Sequence, residues 1–247
     1  MINKNHPRYE SLLLREKIKN AYKEGYLAET AMIAHGRGEA FDYLLGEQTS
    51  YPAKRAIYAA VSLLLLSKNP VISVNGNTVA LAIDDIIDLA NTLNAKIEIN
   101  LFYRSDERVD KIAELFKSKG FTEILGTNDD DIKYINSIEN PRASASSSGI
   151  YSADVVLIPL EDGDRAELLS KTDKKTITID LNPLSRTSMK SNISIVDNII
   201  RAIPFMNKIA KDLKVQNISV LKDILIDYSN EDNLKDSIGS FKIKEEK

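Results

Sequence analysis

The stretch Thr176-Ile177-Thr178-Ile179-Asp180-Leu181-Asn182-Pro183-Leu184-Ser185-Arg186-Thr187 joins a β-rich run directly to a polar loop. Open α/β sheets bind their ligands at the carboxyl ends of their strands, which is where such a loop lies. The loop offers a carboxylate, an amide, hydroxyls and a guanidinium, a set that suits ribose and phosphate. A second polar segment, His35-Gly36-Arg37-Gly38-Glu39, has the same character. The two segments favour a nucleotide-using enzyme over a structural protein.

Strands and helices alternate on both sides of this stretch from residue 70 onward. Helical periodicity predicts a helix over 78–93, with Asn77 as its N-cap, and another over 106–119 that begins after Ser105 and stops at Gly120. Alternation of this kind favours parallel pairing with right-handed crossovers. The sequence therefore predicts an α/β fold with a Rossmann-like, mostly parallel sheet. The predicted strands are 71–74, 96–102, 121–125, 155–160, 176–181 and 193–196.

Three helical segments, 9–22, 27–45 and 52–67, precede the sheet and predict an N-terminal helical layer within residues 8–67. Two glycines in the middle segment weaken a helix by roughly 1 kcal/mol each, so a loop or kink is expected at the His-Gly-Arg-Gly-Glu stretch. No domain linker is evident, and the whole chain, 1–247, is interpreted as a single α/β domain.

Three further expectations concern the second half of the chain. Residues 127–149 are polar and form either a flexible surface loop or an ordered lid, and their low complexity favours the loop. Asp197 is expected to cap a final amphipathic helix, bent at Pro204. The charged tail 231–247 is expected to fray.

Composition excludes several classes of protein. The net charge is −3 with no basic half, which disfavours nucleic-acid binding. There are no cysteines and two histidines, so thiolate chemistry, disulfides and multi-histidine metal sites are excluded, and any metal should be Mg²⁺ carried by a nucleotide. The start of the chain lacks the apolar core of a signal peptide, and the longest apolar run, 59–66, is too short for a bilayer. A cytoplasmic protein without a membrane partner is expected.

Three local motifs each allow two interpretations. The turn Ser73-Val74-Asn75-Gly76-Asn77-Thr78 is an anion site at a helix N-terminus or an ordinary strand-to-helix turn. The acidic cluster Glu161-Asp162-Gly163-Asp164 is a Mg²⁺ site or a turn that starts a helix. His35 is a general base or a hydrogen-bonded structural histidine. Neither a Walker A motif nor a Gly-x-Gly-x-x-Gly motif after a strand occurs, which disfavours P-loop NTPases and standard NAD dehydrogenases.

A more specific signal is spread over eight segments, which occur in order between about residues 5 and 208. They are His6-Pro7-Arg8-Tyr9, Ile33-Ala34-His35-Gly36-Arg37-Gly38-Glu39-Ala40-Phe41-Asp42-Tyr43-Leu44, Asn69-Pro70-Val71-Ile72-Ser73-Val74-Asn75-Gly76-Asn77, Asn100-Leu101-Phe102-Tyr103-Arg104, Tyr151-Ser152-Ala153-Asp154-Val155-Val156-Leu157, Glu161-Asp162-Gly163-Asp164-Arg165, Asp180-Leu181-Asn182-Pro183-Leu184-Ser185-Arg186-Thr187 and Val196-Asp197-Asn198-Ile199-Ile200-Arg201-Ala202-Ile203-Pro204. In these segments the chain resembles the archaeal phosphopantothenate synthetase family, also named 4-phosphopantoate–β-alanine ligase.

The resemblance implies an activity. ATP as cosubstrate, 4-phosphopantoate and β-alanine would give 4′-phosphopantothenate, AMP and pyrophosphate through an acyl-adenylate, in coenzyme A biosynthesis. It also implies a Rossmann-like fold, a homodimer and the use of Mg²⁺.

The resemblance also implies a set of ATP-binding residues. Arg15 and Arg37 would contact the phosphates, and the Asp180-Leu181-Asn182 segment would hold the nucleoside. The remaining members of the ATP site would be Arg186, Thr187, Asn198 and Ile199.

The substrate sites are less constrained. The pantoate phosphate would bind either the Asn75-Gly76-Asn77 turn or Arg104, and the sequence does not choose between them. The proton of the β-alanine ammonium would go to His35 or Glu39, with bulk water as an equal alternative.

Two other functions remain open at this stage. One is a Rossmann-type regulatory protein that binds an adenine nucleotide without turnover. The other is a dehydrogenase or methyltransferase with an atypical glycine loop, which would bind its own cofactor and not ATP.

Overall fold

The computed structural model describes residues 3–6, 8–135 and 143–241, and ten helices and eight strands lie within these ranges. The helices are α1 (Tyr9–Lys23), α2 (Glu29–Leu45), α3 (Tyr51–Leu66), α4 (Gly76–Leu93), α5 (Asp106–Ser118), α6 (Gly163–Ser170), α7 (Arg186–Lys190), α8 (Ile199–Leu213), α9 (Ile218–Ile226) and α10 (Asn230–Gly239). The strands are β1 (Pro70–Val74), β2 (Lys96–Ile99), β3 (Ile124–Leu125), β4 (Ile132–Tyr134), β5 (Ser144–Ser146), β6 (Val155–Pro159), β7 (Lys175–Ile179) and β8 (Ile193–Ile195).

Six of the strands form one parallel sheet in the order β3-β2-β1-β6-β7-β8. This is the strand order of doubly wound dinucleotide-binding sheets, and it confirms the predicted α/β, Rossmann-like fold. The chain leaves β1 toward one edge and β6 toward the other, so the direction of winding reverses between these two strands. Ligands of such sheets bind outside the carboxyl ends of the strands at this reversal point. Strands β2 and β3 are shorter than the sequence predicts.

Both faces of the sheet are covered. Ile72 and Leu157 point into the larger core, which α3, α4, α5 and α8 help to form. Val71 and Val156, one residue away on the same strands, point into a second core formed by α6, residue 135 and residues 143–153 on the other face. Burial on both faces explains why the strands read as continuous apolar runs.

The N-terminal helices form as predicted, with one correction. The predicted interruption at the His-Gly-Arg-Gly-Glu stretch is wrong, because α2 runs unbroken from Glu29 to Leu45. Gly36 and Gly38 adopt no positive φ, so they weaken the helix but do not break it. α2 ends at Gly46, whose φ of +75° supplies the left-handed residue of a Schellman motif.

Two predicted helix caps are shifted. α4 begins after Asn75 rather than Asn77. The Asn75 side chain accepts a hydrogen bond from the Thr78 N–H, and the Thr78 hydroxyl accepts one from the Asn75 N–H, which together form a capping box. α8 begins after Asn198 rather than Asp197, since the Asn198 side chain accepts from the Ile200 N–H. α8 contains Pro204 and is not the final helix.

The predicted flexible loop at 127–149 is wrong for its described part, while residues 136–142 lie outside the described residues. β4 and β5 pair there as an antiparallel ribbon. The buried Glu98 carboxylate on β2 accepts hydrogen bonds from the Ser146 N–H at 3.1 Å and the Ile150 N–H at 2.6 Å. A low-complexity sequence is therefore ordered by a tertiary contact that composition does not reveal.

The tail predicted to fray is also ordered as far as residue 241, and residues 242–247 lie outside the described residues. α10 packs along the edge of β8. Asn230 accepts a hydrogen bond from the Ser194 N–H at 2.8 Å, and Asn233 donates to the Ser194 carbonyl at 3.2 Å. These two side-chain amides pair the backbone groups of Ser194 that a further strand would otherwise pair. The charged segment is therefore held against the sheet as a helix.

Among the residues that the structure describes, no helix combines the length and the apolar character that are needed to span a bilayer.

Candidate active site

A crevice of about 420 Å³ lies at the carboxyl ends of the central strands, at the reversal point of the sheet. Its volume falls in the usual range for small-molecule sites, roughly 300–1,000 Å³. One face of α2 and the loops after β6, β7 and β8 form its walls, so residues far apart in sequence meet there. The sequence-predicted site residues that line it are His35, Arg37, Glu39, Asn77, Asp180, Leu181, Asn182, Arg186, Thr187, Asn198 and Ile199.

Arg104 is not among the residues that line the crevice. Its guanidinium donates hydrogen bonds to the carbonyls of Gly126 at 3.0 Å and Thr127 at 3.1 Å, beyond the end of β3. The structure therefore does not bring Arg104 together with the other predicted residues.

The Asn75-Gly76-Asn77 turn has two kinds of residue: two of them have structural roles, and one lines the crevice. Asn75 caps α4 and donates from its amide to the Leu160 carbonyl at 3.0 Å. Gly76 packs so tightly that an added Cβ would lie 2.8 Å from the Tyr26 carbonyl, so a glycine is required there. Asn77 alone of the three lines the crevice, and its Oδ1 is buried without a hydrogen-bond partner among the described residues.

Arg15 lies behind Glu39 rather than on the crevice wall. Its guanidinium makes a bidentate pair with the Glu39 carboxylate, with Nη2 to Oε2 at 2.7 Å, and the Tyr43 hydroxyl donates to the same carboxylate at 2.7 Å. Burial acts to raise the pKa of Glu39, but Arg15 and Tyr43 outweigh it and hold that pKa below its ordinary value. Glu39 is thus a firmly ionised, weakly basic carboxylate.

His35 projects from α2 into the crevice. Burial lowers the pKa of its imidazole, with nearby Glu39 acting in the opposite direction. The ring is therefore neutral near pH 7. Its buried Nε2 makes no hydrogen bond within the part of the chain that the structure describes.

The loop after β7 is fixed by its own hydrogen bonds. The Asp180 carboxylate accepts from the Asn182 N–H at 2.9 Å and from the Ser185 hydroxyl, and Ser185 in turn caps α7. Burial raises the pKa of Asp180, while these donors and Arg37 act to lower it. The loop predicted to hold a nucleoside is accordingly preorganised without a ligand.

α7 begins directly at the crevice. Arg186, its first residue, is 56% exposed and pairs with Asp164 of α6. The next residue, Thr187, donates from its hydroxyl to the Glu161 carbonyl at 3.0 Å. The turn after β6 and the start of α7 are thereby joined.

A buried charge network that sequence reasoning missed ties α2 to the start of α8. Arg201 pairs with both Asp42 and Asp197, at 2.7 Å from the latter. The Asn198 amide donates to Asp42 at 2.8 Å, and Thr49 donates to Asp197 at 2.6 Å. The i,i+4 spacing of Asp197 and Arg201 was the available sequence signal, but their shared partner on α2 lies more than 150 residues away.

The acidic cluster after β6 forms a turn and a helix start. The Asp162 carboxylate caps α6 by accepting from the N–H groups of Asp164 and Arg165. Among the described residues no group of three or more His, Asp or Glu side chains is placed to hold a metal ion. Glu161 differs from its neighbours because its side chain, 8% exposed, lines the crevice next to the fully buried Arg165.

Chemically, the crevice favours an anionic ligand. Arg37 and Arg186 supply positive charge, and first-turn residues of α4 and α8 line the wall, where helix N–H groups are unpaired. Leu181 and Ile199 supply apolar surface at the other side of the Asp180 loop. A nucleotide has this combination of a charged and an apolar end.

Comparison with known proteins identifies the family of this chain. The sequence model of the phosphopantothenate/pantothenate synthetase family matches residues 52–244. The chain is 52% identical to the 4-phosphopantoate–β-alanine ligase of Thermococcus onnurineus, and 52% to that of Thermococcus kodakarensis, over 95% of this chain and 90% of each relative. It is 50% identical to the ligase of the same name from Methanosarcina mazei, over 95% of this chain and 91% of the relative. This chain therefore belongs to the phosphopantothenate/pantothenate synthetase family.

Proposed function

We propose that this protein is an ATP-dependent ligase that condenses 4-phosphopantoate with β-alanine to 4′-phosphopantothenate, a step toward coenzyme A. The observation that carries the proposal is the crevice at the reversal point of the sheet, whose lining residues suit a nucleotide. Relatives that bear the ligase name match nearly the whole chain at about half identity, which favours turnover over a purely regulatory role.

The first half-reaction is adenylation. The pantoate carboxylate, ionised at neutral pH, attacks the α-phosphorus of ATP and pyrophosphate leaves. Charge builds on the phosphoryl oxygens, and Arg37 and Arg186 with the helix N-termini stabilise it. No proton transfer is needed in this step.

The loop after β7 holds the nucleoside. Asp180 and Asn182 present polar groups that match ribose hydroxyls, and their mutual hydrogen bond fixes their orientation before ATP arrives. Leu181 and Ile199 give the base an apolar surface, with Asn198 and Thr187 completing the pocket.

The remaining predicted residues take different roles. Arg15 is held by Glu39 behind the crevice wall and would have to turn toward the crevice to contact the phosphates of bound ATP. His35 donates or accepts a hydrogen bond at its free Nε2. The N–H groups at the start of α4 bind the pantoate phosphate in preference to Arg104, and the unpaired Oδ1 of Asn77 accepts a hydrogen bond from a pantoate hydroxyl.

Mg²⁺ enters with the nucleotide. Among the described residues, the carboxylates of the crevice do not form a three-ligand site. Phosphate oxygens and water would therefore supply most of the ligands, as Mg²⁺ prefers. Its chemistry there is to neutralise charge on the phosphates.

The active form is a homodimer. α1 and α2 expose Tyr22, Ile33 and Leu44, and apolar surface of this kind favours association. Sedimentation equilibrium should give a mass twice the 27.6 kDa of the chain. A mass equal to that of one chain at micromolar concentration would contradict the dimer.

Product analysis tests the function. Purified protein is incubated with ATP, Mg²⁺, β-alanine and 4-phosphopantoate, with unphosphorylated pantoate as a parallel control. AMP, pyrophosphate and phosphopantothenate formed from the phosphorylated acid alone are expected. ADP in place of AMP would replace the adenylate by an acyl phosphate, and ATP binding without turnover would overturn the ligase function.

The assigned phosphate contacts are tested by substitution. Arg37→Ala and Arg186→Ala should each weaken apparent ATP affinity by about tenfold or more, since a charge-assisted hydrogen bond contributes about 1.5–3 kcal/mol. Arg108→Ala removes an exposed guanidinium of α5 and serves as the control, with unchanged affinity expected. Equal ATP affinity in all three variants would remove the arginines from the ATP site.

A further inference from the structure

The chain leaves β6 through a strained residue. Leu160 has a φ of +52°, a left-handed conformation that is rare for a bulky side chain. Its N–H donates to the Ile179 carbonyl at the end of β7, and its carbonyl accepts from the Asn75 amide at the start of α4, both at 3.0 Å. The neighbouring strand and the neighbouring helix thus hold Leu160 in this conformation.

Residues held in such conformations cluster at functional sites, and here the consequence is the direction of the next residue. Glu161 lines the crevice, and its carbonyl is fixed by the hydroxyl of Thr187 at 3.0 Å. Its Oε1 accepts the N–H of Asp162 at 2.9 Å. The carboxylate is therefore held in one position at the reversal point of the sheet, between β1 and β6.

Three other carboxylates that line the crevice are engaged by closer partners. Arg15 makes a bidentate pair with Glu39, Arg201 pairs with Asp42, and the hydroxyl of Ser185 donates to Asp180. Among the described residues, the cation nearest to Glu161 is Arg165, whose Nε lies 3.9 Å from Oε2. Glu161 is accordingly paired less closely than these three carboxylates.

Its surroundings also make Glu161 a stronger base. Burial raises the pKa of its carboxyl to about 7, against the opposing effects of Arg165 and the Asp162 N–H. The other charged and titratable groups that line the crevice are Glu10 from α1, His35, Arg37, Glu39 and Asp42 from α2, Glu47 after α2, Asp162 after β6, Asp180 after β7, Arg186 from α7 and Arg201 from α8. A general base works best when its pKa lies near the operating pH.

We propose that Glu161 is the catalytic base that accepts a proton from the β-alanine ammonium before the amine attacks the acyl-adenylate. The inference rests on the ligase function proposed above and names the acceptor that its second half-reaction requires. Two observations support it: the backbone of Glu161 is fixed by its neighbours, and the carboxylate has only a long contact with Arg165 among the described cations.

The step balances as follows. One ammonium proton passes to the Glu161 carboxylate, and the freed nitrogen pair forms a C–N bond to the acyl carbon. The bond between that carbon and the phosphate oxygen of AMP breaks, and AMP leaves with the electron pair. The second nitrogen proton passes to the phosphate of the departing AMP, and Glu161 returns its proton to water.

Glu161→Gln keeps the shape and removes the base, so the two half-reactions separate its role. Adenylation is followed by 4-phosphopantoate-dependent exchange of labelled pyrophosphate into ATP. Amide formation is followed by phosphopantothenate production. We expect exchange within about threefold of wild type and amide formation lowered by about 10²–10⁴-fold, the usual contribution of a general base.

Hydroxylamine provides the second readout. It is already a neutral nucleophile at pH 7, so it needs no base, and the variant should form the hydroxamate at a rate close to wild type. Preserved exchange also shows that the variant is folded. Glu98→Gln, a second buried glutamate outside the crevice, is the matched control and should change both half-reactions in the same proportion.

The pH profile adds a third readout. At saturating β-alanine the wild-type rate should level off above about pH 7. The Glu161→Gln rate should keep rising toward the pKa of the free amine, roughly 10 by comparison with lysine.

Two results would overturn the inference while leaving the ligase function intact. One is wild-type amide formation by Glu161→Gln, and the other is an equal loss of exchange and amide formation, which would indicate a structural role. Absence of exchange in the wild-type protein would instead overturn the proposed adenylation, and the inference with it.

Discussion

Arg201 is the cation on which two buried carboxylates depend. Asp197 is fully buried and Asp42 nearly so, and both pair with the same guanidinium. Burial raises the pKa of Asp197 in spite of Arg201, which shows how costly an ionised group is at this position. Removal of the shared partner leaves charge in a medium that solvates it poorly.

Arg201→Ala should therefore lower the free energy of unfolding by about 3–5 kcal/mol, as for other broken buried pairs. Urea unfolding at pH 7 measures this. Arg55→Ala is the control, because its pair with the exposed Asp236 should contribute less than about 1 kcal/mol. Similar losses in the two variants would mean that the network on α8 has no special role in stability.

At the residue scale the sequence predicted part of the site. The Asp180 loop was found because polar residues at a strand end carry a local signal, and Arg37 was found because two glycines mark its polar segment. The environment of Glu161 was not found, since its burial depends on Leu160, Thr187 and Arg165 meeting in space. Asp42 was missed for the same reason.

Among the elements, α2 carries glycines with opposite roles. Gly36 lies inside the helix, with nothing within 4 Å of the position of an added Cβ. Gly46 follows the helix with a φ of +75° and donates its N–H to the Tyr43 carbonyl. Alanine should be favourable at the first position and strained at the second.

Gly36→Ala should raise the free energy of unfolding by roughly 1 kcal/mol through helix propensity. Gly46→Ala should lower it by about 1–2 kcal/mol, because a side chain is disfavoured in the left-handed region. Each variant is the control for the other in thermal unfolding. A shift of both melting temperatures in the same direction would contradict the assignment of the helix end.

The element scale also shows where sequence patterns fail. Helix propensity predicted an interruption in α2, but the penalty of two glycines is small beside the packing of a seventeen-residue helix. The ribbon of β4 and β5 depends on the carboxylate of Glu98, and no local pattern encodes that contact. The parallel sheet followed from the alternation of strands and helices, which depends on the whole chain and tolerates errors at single boundaries.

For the whole molecule, buried carboxylates couple stability to pH. The pKa of Glu161 is raised from 4.5 to about 7 in the folded state, and burial also raises the pKa values of Glu98 and Asp180. The folded state then binds more protons than the unfolded chain between these values. The stability from such a group is fully present below its unfolded pKa and is lost as pH rises through its folded pKa.

Glu161→Gln should flatten this dependence. Between about pH 5 and pH 8 the free energy of unfolding of the variant should fall less than that of the wild type, by on the order of 3 kcal/mol. Denaturant unfolding over this range measures the difference. Glu123→Gln, which removes an exposed carboxyl, should keep the wild-type slope, and parallel curves for all three proteins would contradict the raised pKa.

The asparagines of α10 also affect how the edge of the sheet can interact with other molecules. β8 is the last strand of the sheet, and Asn230 and Asn233 satisfy the N–H and carbonyl of Ser194. A protein that ended at Tyr228 would present these groups, flanked by Ile193 and Ile195, as an open template for a strand from another molecule. The last helix thus protects the protein from self-aggregation, a demand unrelated to ligand binding.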